Sequence, residues 1–163
     1  MKTAGAMRRV SGVIGGALVL CMLALPLTAV GQAKTDAERF VGDYTLISYV
    51  TFPEAGPAVD MSYVGKLSYD SAGNMSGLGM PSDLPERERE ADGRLTGGFA
   101  YWGKVTVDDE KKIVVHHVEG SPLMPSWVGG DNVRFYEFEN DLLRLSLKNA
   151  EGRTTATLTW RRL

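Results

Sequence analysis

The chain has 163 residues, of which 18 are basic and 20 acidic, and its formal net charge is −2. This length suits one domain with a hydrophobic core of its own. Lysine and arginine are scattered and form no basic stripe, which argues against a nucleic-acid partner. The single cysteine, Cys21, leaves no possibility of an intramolecular disulfide.

Residues 1–33 have the pattern of a secretory signal peptide. Three basic residues at the start are followed by an apolar stretch, residues 10–30, and Gly31-Gln32-Ala33 places small residues before a cut after Ala33. An uncleaved anchor is the alternative, because the apolar stretch approaches the ~20 residues that span a bilayer. We predict a cleaved signal peptide and an exported protein, periplasmic or secreted, without stable membrane insertion afterwards.

Residues 34–163 form the predicted folded domain. Without residues 1–33 the chain would keep 130 residues, with 15 basic and 20 acidic side chains, a net charge of −5 and no cysteine. Thiol chemistry and disulfides are then impossible, so the stability of the domain must come from its core.

The predicted elements of this domain are strands. Runs rich in β-branched and aromatic residues alternate with turn sequences such as Asp70-Ser71-Ala72-Gly73-Asn74. Eight candidate strands follow one another in chain order, at residues 44–51, 63–69, 75–80, 99–107, 112–119, 133–139, 142–148 and 153–162. No helical periodicity of useful length interrupts them. The pattern predicts an all-β fold, an eight-stranded antiparallel up-and-down β-barrel, because closure removes the exposed edges of an open sheet.

Two connections between the strands are long. Residues 81–95 contain a charge run, which favours a solvated loop; a lid over a cavity mouth is the alternative. Residues 120–132 hold two prolines together with Leu123, Met124 and Trp127, too apolar for a merely solvated loop. We expect this loop to form either a hydrophobic plug or a rim that contacts a ligand.

Short stretches spread over the domain carry a family resemblance. They are Phe40-Val41-Gly42-Asp43-Tyr44, Gly65-Lys66-Leu67-Ser68-Tyr69-Asp70, Ala100-Tyr101-Trp102-Gly103, His116-His117-Val118-Glu119-Gly120-Ser121, Pro125-Ser126-Trp127-Val128-Gly129 and Leu158-Thr159-Trp160. In this order and spacing the domain resembles the bacterial and fungal lipocalin-like domain proteins, which implies a small β-barrel with an internal cavity. Gly42-Asp43-Tyr44 stands where true lipocalins carry Gly-x-Trp, and Arg161 and Arg162 are the candidates for their closing arginine.

Strand alternation sorts the side chains into inward and outward sets. The inward set on three strands is Phe99, Tyr101, Val105, Val107, Leu143, Leu145, Leu147, Ala156, Leu158 and Trp160. In residues 133–139 two glutamates share one face, which turns Arg134 inward beside Tyr136 and Phe138. A buried charge is costly, so Arg134 must either pair with a carboxylate, for which Glu119 is the candidate, or meet an acidic ligand group.

The two histidines, His116 and His117, are neighbours in a strand and point to opposite faces. They therefore cannot bind the same metal ion, and we predict no metal and no other cofactor. Val114 and Val118 flank His116 on its face, which favours an inward His116. Its role is either structural or that of a donor or weak base toward a bound polar group. The chain shows no nucleophile motif, no phosphate-binding glycine loop and no catalytic carboxylate pair.

The function predicted from these features is binding of a small hydrophobic or amphipathic molecule in the barrel cavity, by an exported monomer, rather than catalysis. The candidate ligand-binding residues are Tyr101, His116, Trp127, Arg134, Tyr136, Leu145 and Trp160. Two alternatives remain, because fold alone does not decide function. One is an isomerase or cyclase that uses His116 and Arg134; the other is a solid-cored structural domain of the cell envelope without a ligand.

Overall fold

The computed structural model of the protein describes residues 34–86 and 97–163. The predicted signal peptide and residues 87–95 of the predicted solvated loop lie outside these ranges. The elements within them are α1 (Asp36–Phe40), β1 (Gly42–Thr51), β2 (Val59–Asp60), β3 (Tyr63–Tyr69), β4 (Asn74–Pro81), β5 (Phe99–Asp108), β6 (Ile113–Gly120), β7 (Asp131–Glu139), β8 (Leu142–Lys148) and β9 (Thr154–Arg162), with 3-10 turns at Leu84–Glu86 and Pro125–Trp127. None of the helices in this part of the chain has the length and hydropathy to cross a membrane.

Eight of these strands close into an antiparallel up-and-down barrel, as the sequence predicts. The order around the barrel is β1, β3, β4, β5, β6, β7, β8, β9, and β1 completes the circle by pairing with both β3 and β9. The remaining strand, β2, pairs only with the last two residues of β1. The sequence pattern does not predict α1 and β2, because elements of five and two residues are too short to show a periodicity.

The barrel interior is filled by the alternate residues that the sequence places inward. Six of them are buried, namely Tyr101, Leu143, Leu145, Ala156, Leu158 and Trp160. The other four are partly buried and pack against this core, namely Phe99, Val105, Val107 and Leu147. The inward face of β7 is the predicted one, since Tyr136 is buried and Phe138 packs against the core, whereas Glu137 and Glu139 are exposed. Strand alternation therefore gives the correct face in β5, β7, β8 and β9.

One end of the barrel is closed by α1. Thr35 caps this helix through a capping box, and Phe40 at its last position is only 1% exposed. The ring of Phe40 makes edge contacts with Tyr69, Tyr136 and Phe138, at centroid separations of 5.1, 4.9 and 4.9 Å. Such edge-to-face geometry is the favoured arrangement of buried aromatic rings. Phe40 and these three rings consequently form an aromatic plug at the α1 end.

The closing arginine of the barrel is Arg162. Its guanidinium lies 4.9 Å from the centre of the Tyr44 ring, and it donates to the Tyr44 hydroxyl at 2.6 Å and to the carbonyl of Val41 at 2.6 Å. Gly42, with a φ of +147°, lies against this guanidinium, and a side chain there would overlap Arg162 Nη1. Arg161, the other candidate, is exposed on the outer surface.

Candidate functional site

A cavity of about 110 Å³ lies inside the barrel, toward the end opposite α1. Five predicted binding residues line it, namely Tyr101, Trp127, Arg134, Leu145 and Trp160. The further lining residues are Tyr49, Leu67, Gly77, Phe99, Leu147 and Leu158. The cavity is thus enclosed mainly by aromatic and aliphatic side chains, with one arginine among the described lining residues.

Gly77 provides part of the space, because it points inward without a side chain. A Cβ atom added at Gly77 would lie 3.4 Å from Leu67 Cδ1 and 3.5 Å from Tyr101 Cε1, which is ordinary van der Waals contact. On the other face of β4, Leu78 and Met80 are 50% and 37% exposed. Gly77 was not predicted as a cavity residue, because no inward face was assigned to β4 from the sequence.

The loop between β6 and β7 contributes to the rim of the cavity. Trp127 is half-buried, lines the cavity and packs edge-on against Tyr101 at a centroid separation of 5.4 Å. Leu123 in the same loop is 50% exposed, so this part of the loop does not fill the barrel end. Of the two expected roles for the loop, the geometry matches the rim.

Below the cavity floor, His116 joins two tyrosines. It is fully buried, with Nε2 2.8 Å from the hydroxyl of Tyr69 and Nδ1 2.8 Å from the hydroxyl of Tyr101. Burial, followed by the charges of Arg134 and His117, lowers the pKa of His116 to about 3. A neutral imidazole has one donor and one acceptor nitrogen, so one hydroxyl donates to it and the other accepts from it. This uncharged chain of hydrogen bonds fixes Tyr101 in the cavity wall.

Two predicted binding residues do not line the cavity. His116 lies behind Tyr101, and both of its ring nitrogens are occupied, which leaves it no free atom for acid–base chemistry on a bound molecule. Tyr136 lies at the α1 end, where its hydroxyl donates to Asp36 Oδ2 at 2.8 Å. Strand alternation predicts their inward direction, but it says nothing about their depth along the barrel.

Arg134 is half-buried in the cavity wall, and it is not paired with Glu119. Its Nη1 donates to the carbonyl of Val133 at 2.9 Å. Glu119 is exposed and lies in an outer-surface groove beside Ser68 and Trp102. The ion-pair prediction was therefore wrong, because the two side chains point to opposite faces of the barrel wall. No other carboxylate in residues 34–86 and 97–163 forms a salt bridge with Arg134.

The positive charge of Arg134 acts on the hydroxyl groups around the cavity. Burial raises the pKa of Tyr101, and the charge of Arg134 opposes this increase. The pKa of Tyr49 is also raised, first by burial and then by Tyr63, and the charge of Arg134 again acts in the lowering direction. Both hydroxyls remain protonated near neutral pH, and the Tyr101 hydroxyl is already engaged by His116.

The second histidine, His117, points outward. Its Nδ1 lies 2.7 Å from Asp131 Oδ1, and its Nε2 lies 2.8 Å from Thr106 Oγ1. The two histidines thus occupy opposite sides of the barrel wall and share no site. In the part of the chain that the structure describes, no group of three or more histidine, cysteine, aspartate or glutamate side chains is arranged to hold a metal ion.

The closed barrel, the aromatic plug at one end and the apolar cavity toward the other define an up-and-down β-barrel with an internal cavity. The chain belongs to the lipocalin-like domain family, whose family model matches residues 41–163. This match confirms the resemblance found in the sequence.

Solved structures also match the chain. A lipocalin-like protein from Bacteroides uniformis shares 16% identity, with a TM-score of 0.44, and the match covers 76% of this chain and 98% of that one. A protein from Bacteroides eggerthii described as uncharacterized shares 17% identity, with a TM-score of 0.43 and coverage of 76% and 99%. No curated protein matches the chain.

Proposed function

We propose that the protein binds one small, largely apolar molecule in the barrel cavity. The observation that carries this proposal is the cavity itself, with its apolar wall and few polar groups. Ligand pockets typically combine such a wall with a small number of placed polar groups. Arg134 and the hydroxyls of Tyr49 and Tyr101 are the polar groups here.

The volume of the cavity limits the size of the ligand. The volume of about 110 Å³ is somewhat smaller than the ~150 Å³ of an apolar cavity that accepts benzene. Tyr49, Phe99 and Trp127 at the rim are half-buried, so part of a ligand can extend between them. We therefore propose a single small ring or a short chain as the enclosed part.

We also propose that the protein acts outside the cytoplasm, after removal of residues 1–33. The contacts of α1 support this proposal, because its capping box starts at Thr35, with the backbone N–H of Thr35 donating to Glu38 Oε2 at 2.8 Å. A mature chain that begins at Lys34 would keep the whole plug.

A cavity-filling substitution tests the binding proposal. In Gly77→Leu, the new side chain would occupy the space between Leu67 and Tyr101, whereas Gly77→Ala adds one methyl group at ordinary contact distances. Native mass spectrometry of the protein purified from its own host should show a bound species of defined mass on the wild type. The same species should persist in Gly77→Ala and disappear in Gly77→Leu.

Two results would contradict the proposal. A wild-type protein that carries no bound species would remove its basis, and a species that persists unchanged in Gly77→Leu would lie elsewhere. Circular dichroism of all three proteins serves as the folding control, because added volume in a core can itself cost ~1–3 kcal/mol.

A further inference from the structure

The cavity wall contains a hydrogen-bond donor that the described chain leaves unsatisfied. Trp160 lines the cavity and is 2% exposed, and its Nε1 is buried without a hydrogen-bond partner among the described residues. Buried polar groups in folded proteins are nearly always hydrogen-bonded, so an indole N–H in this position calls for an acceptor. An indole N–H donates only, and the missing partner must therefore supply a lone pair.

Arg134 adds a second and stronger group of donors to the same cavity. A guanidinium carries five N–H donors and no acceptor, and the structure engages Arg134 with the carbonyl of Val133 and with the hydroxyl of Tyr101, which leaves further donors without a partner among the described residues. No described carboxylate forms a salt bridge with it. The cavity therefore presents a positive charge and unused donors within an otherwise apolar wall.

The position of Arg134 follows from the way in which β7 and β8 separate. Their ladder starts at the pair Phe135–Ser146, so residues 131–134 of β7 pair with β6 but not with β8. The backbone N–H of Tyr136 donates to Lys112 on the β6 side, and alternation then directs the carbonyl of Val133 toward β8. Arg134 donates to this carbonyl where no strand is present to do so, and the donors that Val133 and Tyr101 do not use stay available at the cavity wall.

We propose that the ligand is a monocarboxylate with a small apolar body, held by a charge-assisted pair between its carboxylate and Arg134. The guanidinium fork matches the two oxygens of a carboxylate, and the Trp160 N–H supplies a further donor. A single negative charge fits better than a phosphate monoester, because Arg134 is the one cation among the described lining residues. This inference rests on the proposed function, since it names the chemical class of the molecule in the same cavity.

Two matched probes test the charge requirement. 4-Fluorobenzoate and 4-fluorobenzamide have nearly the same shape, and at pH 7 they differ in charge. In fluorine-NMR titrations of the wild-type protein, the benzoate should bind at least about tenfold more tightly, as expected for a hydrogen-bonded charged group. This comparison needs no variant, so it remains informative even if a substitution at Arg134 lowers stability.

Three variants test which residues cause the preference for 4-fluorobenzoate. Arg134→Gln should abolish the difference between the probes, and Trp160→Phe, which keeps a ring but removes the N–H, should weaken benzoate binding more than benzamide binding. Arg161→Gln removes an exposed arginine from the outer surface and should leave both affinities unchanged.

The outcomes separate this inference from the proposed function. Equal binding of both probes to the wild type would overturn the carboxylate assignment while leaving the cavity as a binding site. A preference for benzoate that survives in Arg134→Gln would overturn the role of Arg134. Failure of both probes to bind would count against the carboxylate and against the proposed cavity function together.

Discussion

We predict that the free energy of unfolding falls in mild acid because of His116. Burial, with the charges of Arg134 and His117, lowers its pKa from 6.5 to about 3 in the folded protein. The unfolded chain binds a proton on this histidine near pH 6.5. Between pH 6.5 and 3 the unfolded state therefore holds one more proton than the folded state. The stability that neutral His116 contributes is complete above pH 6.5 and is lost as the pH falls toward 3.

The size of this loss follows from proton linkage. One differential proton changes the free energy of unfolding by ~1.4 kcal/mol per pH unit, so the wild type should lose about 2 kcal/mol between pH 7 and pH 5. Carboxylates with lowered pKa values, such as Asp36, titrate below this range. A change of this size is a substantial part of the ~5–15 kcal/mol that stabilises a typical domain.

Urea unfolding at a series of pH values, followed by tryptophan fluorescence, measures this effect. His116→Gln replaces the titrating ring with a neutral polar group, so most of the loss between pH 7 and pH 5 should vanish. His117→Gln is the matched control on the outer face, and it should keep the loss. An equal acid-induced loss in the wild type and His116→Gln would refute the assignment to His116.

Two further predictions concern the closing arginine and the N terminus. Arg162→Ala should lower the free energy of unfolding by ~1–3 kcal/mol, because partly buried acceptors such as the Tyr44 hydroxyl lose a charged donor. Arg161→Ala should change it by less than about 0.5 kcal/mol. Equal losses in urea unfolding would contradict the role given to Arg162. Intact mass of the protein from its own host should correspond to a chain starting at Lys34; retention of Met1 in a membrane fraction would instead indicate an anchored protein.

Much of the fold could be predicted from the sequence, because alternation and turn chemistry repeat along the whole domain. Each predicted strand corresponds to an observed one, with boundaries that differ by at most two residues. The α1 plug could not be predicted in this way. Its effect depends on Phe40 meeting Tyr69, Tyr136 and Phe138, which are distant in the chain and come together only when the barrel closes.

The cavity could be predicted only in part, because alternation gives the direction of a side chain but not its depth. Arg134 and Tyr136 share the inward face of β7, yet Arg134 lines the cavity and Tyr136 belongs to the α1 plug. A step of two residues advances ~6.6 Å along the strand, which is enough to separate these environments. In β4, hydrophobicity favours the face with Leu78, whereas the barrel encloses the face with Gly77.

Backbone amide chemical-shift mapping with benzene tests the proposal that the cavity takes a small apolar ligand. Benzene carries no charge, so the result does not depend on the carboxylate inference. This proposal predicts saturable shifts at the amides of residues that line the cavity, namely Gly77, Tyr101, Leu145 and Leu158, and no shifts in α1. An absence of saturable shifts, or shifts centred on α1, would contradict it.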